Sequence, residues 1–149
     1  MSLAVHVSAD GVRAPLSRAC VSEIARRVLA SEGVDEAVIS ITFLSARAIG
    51  TLNRKHLGHR GATDVIAFGF NEAGRRAPVI GDIYIAPEIA RENARRHRAG
   101  VREEVARLVV HGVLHVLGYE HADDESRITS PMWRRQERLL ASVFEEAMA

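Results

Sequence analysis

Residues 105–117 form the longest apolar run in the chain, broken only by Arg107, His111 and His115. No other stretch limits the fold as strongly. The run is well short of the ~20 apolar residues that a membrane span needs, so it reads as a helix over 101–117. Gly118 follows as the stop signal, because glycine takes the left-handed conformation that ends helices. His111 and His115 are four apart, so their side chains leave one face of the helix a turn apart. Beyond the glycine turn, His121 can fold back toward the same point.

Three neutral imidazoles with one position left open form the catalytic type of zinc site. Such a site makes hydroxide available near neutral pH, because the pKa of the water on zinc falls to about 7. One histidine alone would say little; three, with a glycine breaking the helix before the third, make a ligand pattern. A closed structural site fits less well, since structural sites favour cysteine and Cys20 is distant in sequence. Imidazole also suits nickel, copper and iron, so another divalent metal is open. The spacing is similar to that of the metzincin proteases, H-E-x-x-H-x-x-G-x-x-H. Those enzymes carry a glutamate general base directly after the first histidine. Gly112 stands there in this chain. The ligand spacing is kept and the protease base is gone, which argues against peptide hydrolysis.

The remaining pattern supplies a scaffold. Residues 3–7 alternate apolar and other residues, and residues 37–44 alternate and are rich in β-branched side chains; both read as strands. Residues 63–70 and 79–85 read as two more, joined as an antiparallel hairpin through Asn71-Glu72-Ala73-Gly74. A helix over 15–30 opens near Pro15, carries Leu16, Cys20, Ile24 and Val28 on one face, and closes at Gly33. Ser45 caps a helix running to about His56. Pro87 starts another toward His97, and a last one covers about 132–148. The expectation is one α+β domain over 1–149: a mixed, roughly four-stranded sheet packed with about five helices, with the metal site at a helix C-terminus.

Composition narrows the setting. The chain has 149 residues, the size of one domain, and 47% of them are hydrophobic. A domain this long buries roughly 70% of its unfolded surface, so it needs no metal merely to fold. With Cys20 as the one cysteine, no intrachain disulfide forms and no disulfide-linked partner is expected. The start MSLAVHVSAD lacks the basic and apolar regions of a signal peptide. These features point to the cytoplasm and away from membranes. The basic residues are nineteen arginines and Lys55. Arg91, Arg95, Arg96, Arg98 and Arg102 cluster and suit an RNA backbone. The plainer reading is a solvated helix face balanced by Glu88, Glu92, Glu103 and Glu104.

The stretch His111-Gly-x-Leu114-His115-x-Leu117-Gly118-Tyr119-x-His121 resembles the signature of the YbeY family, bacterial metal-dependent endoribonucleases. Leu52-Asn53, Thr63-Asp64-Val65-Ile66-Ala67-Phe68 and Gly81-Asp82-Ile83-Tyr84-Ile85 match further family blocks in the same order, over roughly residues 40 to 125. The resemblance implies a zinc-dependent single-strand endoribonuclease in ribosomal RNA maturation and ribosome quality control, with ribosomal RNA and the small ribosomal subunit as partners. Two positions depart from the family. Glu120 replaces an aspartate before His121, and Leu57 stands where many members carry an active arginine. Arg60, Arg54 and His59, in or beside the same loop, are the candidates to supply that charge.

Two carboxylates are candidates to orient the metal-binding imidazoles through their second ring nitrogen: Asp64 and Asp82. Asp64 reads equally well as a turn cap. Asp82 interrupts the apolar strand VIGDIYI, where an unpaired carboxylate is costly. Met132 and Trp133 read as packing residues. Two other functions compete: another zinc hydrolase of peptidase type, and a ribosome assembly factor with a weak or vestigial nuclease site.

Overall fold

Period-two alternation builds the middle of the sheet. In the computed structural model, which describes residues 2–57, 63–70, 78–120 and 130–148, Ala37, Ile39, Ile41 and Phe43 are buried along one face of β2 (Glu36–Phe43). The strands on either side are β1 (Ser2–Ala9) and β4 (Val79–Ile85), both parallel to β2. Strand β3 (Val65–Gly69) closes the edge antiparallel to β4, giving the order β1-β2-β4-β3. The helices are α1 (Arg18–Ser31), α2 (Ala46–Leu57), α3 (Pro87–Arg96), α4 (Val101–Val116) and α5 (Pro131–Met148). Among the described residues this is the α+β arrangement of a four-stranded mixed sheet with five helices that the pattern predicts.

The expected hairpin pairing holds, while its turn at 71–74 lies outside the described residues. One helix start is corrected. Pro15 does not open α1; Ser17 does, its hydroxyl accepting from the Cys20 N–H at 3.1 Å. A serine oxygen satisfies one of the bare N–H groups of the first turn, which proline cannot do. Ser45 caps α2 as expected, accepting from the Ala48 N–H, and Glu88 of α3 accepts from the Ala46 N–H beside it.

The sheet has two unlike faces. Ile39, Ile41, Ile83 and Ile85 pack with α1, α4 and α5 in the main core. Ile66, Phe68 and Tyr84 point the other way, into a smaller cluster with Ile49 and Leu52 of α2. Helix α4 lies very close to β4, and two glycines make that possible. A methyl group on Gly112 would come within 2.7 Å of Ile83 Cγ2, and one on Gly81 within 2.5 Å of Val116 Cγ1. Among the described residues no helix is long and apolar enough to cross a membrane.

Candidate metal centre

His111 and His115 occupy the last two turns of α4, both half-buried. Their rings stand edge to face with centroids 4.5 Å apart. Gly118 then takes φ of 101°, and the Tyr119 N–H reaches back to the Leu114 carbonyl at 3.0 Å. That is the left-handed reversal expected of a glycine after a helix, and it turns the chain immediately after the second histidine. His121 lies outside the described residues, as do Arg60 and His59. Among the described residues no group of three potential metal ligands gathers. The pair present fits a zinc-type ion in its chemistry: two imidazoles from adjacent turns, one with its Nδ1 held by a protein oxygen.

That oxygen belongs to Gln136 of α5. Its Oε1 lies 2.6 Å from His111 Nδ1, and the residue is 1% exposed. The sequence reading missed it. The signal was present in α5, where Met132, Gln136, Leu139, Leu140 and Val143 form one buried stripe with a single polar member. A buried amide demands partners.

The two aspartates part company. Asp64 sits just before β3 and lines the same cavity as His111, its Oδ2 accepting from the Asn93 amide at 3.1 Å. Asp82 lies between Gly81 and Ile83, which face α4, so its carboxylate is on the opposite side of the sheet. There it accepts from the Ser40 hydroxyl at 2.7 Å. Burial, and then the Asp82 charge, raise the Tyr84 phenol above its ordinary value. The structure therefore brings Asp64, and not Asp82, to the side where His111 lies. Arg54 is exposed on α2, and Asn53 beside it is buried.

The cavity measures about 400 Å³ and opens between α3, α4, α5 and the start of β3. Asn93 and His97 line one wall; Glu104, Arg107 and His111 line another, with Trp133 and Gln136 from α5. Trp133 thus forms part of a cavity wall, beyond the packing role read from sequence. Arg107 spans the base: Nη1 donates to Glu104 at 3.0 Å, while Nε and Nη2 donate to the two oxygens of Glu137. Burial alone would lower the Arg107 pKa, but the Glu137 and Glu104 carboxylates outweigh it and raise it.

A second tie fixes the turn that leads to His121. The Tyr119 hydroxyl donates to Glu32 Oε1 at 2.5 Å, and Arg135 donates to Glu32 Oε2 from Nε at 2.9 Å. Glu32 ends α1, so three helices meet there. Burial pushes its carboxyl up, yet Tyr119 and Arg135 together hold it below its ordinary value. A carboxylate depressed in the folded state adds stability above its unfolded pKa and loses it as pH falls through the lower folded value. Glu32→Gln is therefore expected to cost about 1–3 kcal/mol at neutral pH. In urea denaturation the gap to wild type should close below about pH 4; a gap independent of pH would contradict the ion pair's role.

Fold and site together define the class, an α+β domain with a histidine pair at the end of its main buried helix. The chain matches the family model for Endoribonuclease YbeY over residues 7–143. It is 34% identical over 123 residues to the Endoribonuclease YbeY of Chlorobium phaeobacteroides (strain BS1), covering 83% of this chain and 86% of that protein. It is 33% identical over 151 aligned residues to the Endoribonuclease YbeY of Bacillus licheniformis, covering 94% of each. The chain belongs to the Endoribonuclease YbeY family. The solution structure of TM1509 from Thermotoga maritima shares the fold, with a TM-score of 0.63 at 23% identity over 95% of this chain and 90% of that one.

Proposed function

We propose that the chain is a zinc-dependent endoribonuclease that cuts single-stranded segments of ribosomal RNA in the cytoplasm, serving ribosomal RNA maturation and ribosome quality control. The observation that carries this reading is the His111–His115 pair, with His111 on the cavity wall, in a chain of this family. His121 completes the donor set. When bound, zinc acts as a Lewis acid toward a phosphoryl oxygen and makes hydroxide available near neutral pH.

The protein's own residues bind and orient. A cavity of about 400 Å³ has room for one nucleotide of the substrate beside His111, within the usual range of about 300–1,000 Å³ for small-molecule sites. Asp64, held by Asn93, lines that cavity and is the candidate to orient a ligand histidine. Arg91, Arg95, Arg96, Arg98 and Arg102 are all exposed, in and just after the helix that supplies Asn93. They offer a face for the RNA backbone, so binding should weaken steeply with salt. Arg60, Arg54 and His59 are the candidates to meet the charge that builds on the transferring phosphate. The small ribosomal subunit is the partner that presents the RNA.

A single experiment separates this from a peptidase. The protein is incubated with single-stranded ribosomal RNA or with casein, each with and without chelator. RNA is cut, chelator stops the cutting, and casein survives. Chelator-sensitive proteolysis with intact RNA would overturn the reading. In the same RNA assay Arg60→Ala and Arg54→Ala are expected to slow cleavage, and wild-type rates in both would remove those residues from the site. Gly112 supports this choice over the peptidase, because it has no side chain to act as general base and a Cβ there would already press on Ile83.

A further inference from the structure

We infer that Gln136 is a positioning residue that selects the tautomer of His111, so that the ring presents its bare Nε2 to the metal site. Which groups can donate and which can only accept fixes the tautomer. A primary amide has one end of each kind. One end of the Gln136 amide lies 3.0 Å from Glu137 Oε2 and the other 2.6 Å from His111 Nδ1.

Glu137 decides which end is which. Both of its oxygens are engaged by Arg107, at 2.9 and 3.1 Å. A carboxylate in a two-pronged pair with a guanidinium is ionised and only accepts. It therefore takes the amide NH2, and the amide oxygen must face His111. That oxygen also only accepts, so Nδ1 of His111 carries the ring hydrogen. A neutral imidazole with its hydrogen on Nδ1 keeps its lone pair on Nε2, the nitrogen left for a metal. The reversed amide would set an oxygen against a carboxylate in a place 1% exposed, where repulsion is poorly screened.

The preset extends one step further. Arg107 is itself held by Glu104, which is 6% exposed. Glu104, Arg107 and His111 lie along one face of α4, with Gln136 and Glu137 adjacent on α5. The chain Glu104–Arg107–Glu137–Gln136 thus fixes one proton on one ring before any ion arrives. The tautomer follows from this geometry alone; its consequence for metal affinity rests on the reading of His111 as a ligand.

The test is nitrogen-15 NMR of histidine-labelled, metal-free protein at a pH where the ring is neutral, paired with zinc titration. Wild type is expected to show His111 hydrogen on Nδ1 and a bare Nε2. Gln136→Met, which keeps the volume and removes the acceptor, should shift the ring toward the Nε2–H form and weaken zinc binding about 10- to 100-fold. An Nε2–H ring in wild type overturns the inference, as does an unchanged tautomer in Gln136→Met. Should that variant fail to fold, the wild-type spectrum alone still decides. The expected tautomer in a wild-type protein that binds no zinc supports the inference and counts against the metal reading.

Discussion

His115→Ala is expected to slow RNA cleavage by at least about a thousandfold, since a catalytic metal supplies several kcal/mol and each ~1.4 kcal/mol is tenfold in rate. The fold should survive. His115 is half-buried at the end of α4, whereas the helix is anchored by Val105, Val109, Val113, Leu114 and Val116 in the main core. Chemical denaturation of the metal-free variant should shift by no more than about 1 kcal/mol, the range of ordinary substitutions outside the core. Cleavage and denaturation measured on one preparation separate the alternatives. Loss of cleavage with a standing fold supports a catalytic site. Loss of both marks a structural one, and full cleavage removes His115 from the chemistry.

Gly112→Glu is the second large effect, and it is on stability. The substitution would restore the residue that a metzincin carries after its first histidine. A Cβ at this position already comes within 2.7 Å of Ile83 Cγ2 and 3.2 Å of Ile83 Cδ1. Ile83 is fully buried on β4 in a close-packed core, so its side chain has little room to give way. Overpacking of this kind costs about 1–3 kcal/mol. A carboxylate forced into the same apolar contact costs a further ~2 kcal/mol or more unless it stays protonated. The sum is a large part of the ~5–15 kcal/mol that keeps a domain folded. Gly112→Glu should therefore unfold at far lower urea than wild type and gain no peptidase activity. Gly112→Ala should lie between, because better helix propensity returns about 1 kcal/mol. Wild-type stability in Gly112→Glu would contradict the close approach of α4 and β4.

Gly112 also shows how sequence and structure divide the explanation. The sequence identifies it as the missing protease base. The structure adds that the glycine is there because the helix must touch the strand, and that contact sets where His111 and His115 stand. Strand β4 was legible to the residue from its own pattern, Val79–Ile85. The parallel pairing of β1, β2 and β4 was not, because register and neighbour depend on contacts between distant segments. Asp82 was legible as a polar residue in an apolar strand that needs a partner, and Ser40 is that partner. Its direction was readable too, since a neighbour of Ile83 in a strand points to the other face. The histidine pair was legible because four residues make one helical turn. Gln136 was hidden because its partner stands on another helix, and pairing across helices leaves no spacing to read. The Glu32 tie was hidden for the same reason, joining residues 87 and 103 positions apart.

The proposed metal site makes cleavage of RNA depend on an ion held by His111, His115 and His121. Its most direct test is to strip the protein of metal, confirm that it remains folded, and titrate zinc while following cleavage of a single-stranded ribosomal RNA segment. The rate should start at background, rise with zinc, and level off at one ion per chain. Metal-free protein that cuts the RNA at its full rate would contradict the account.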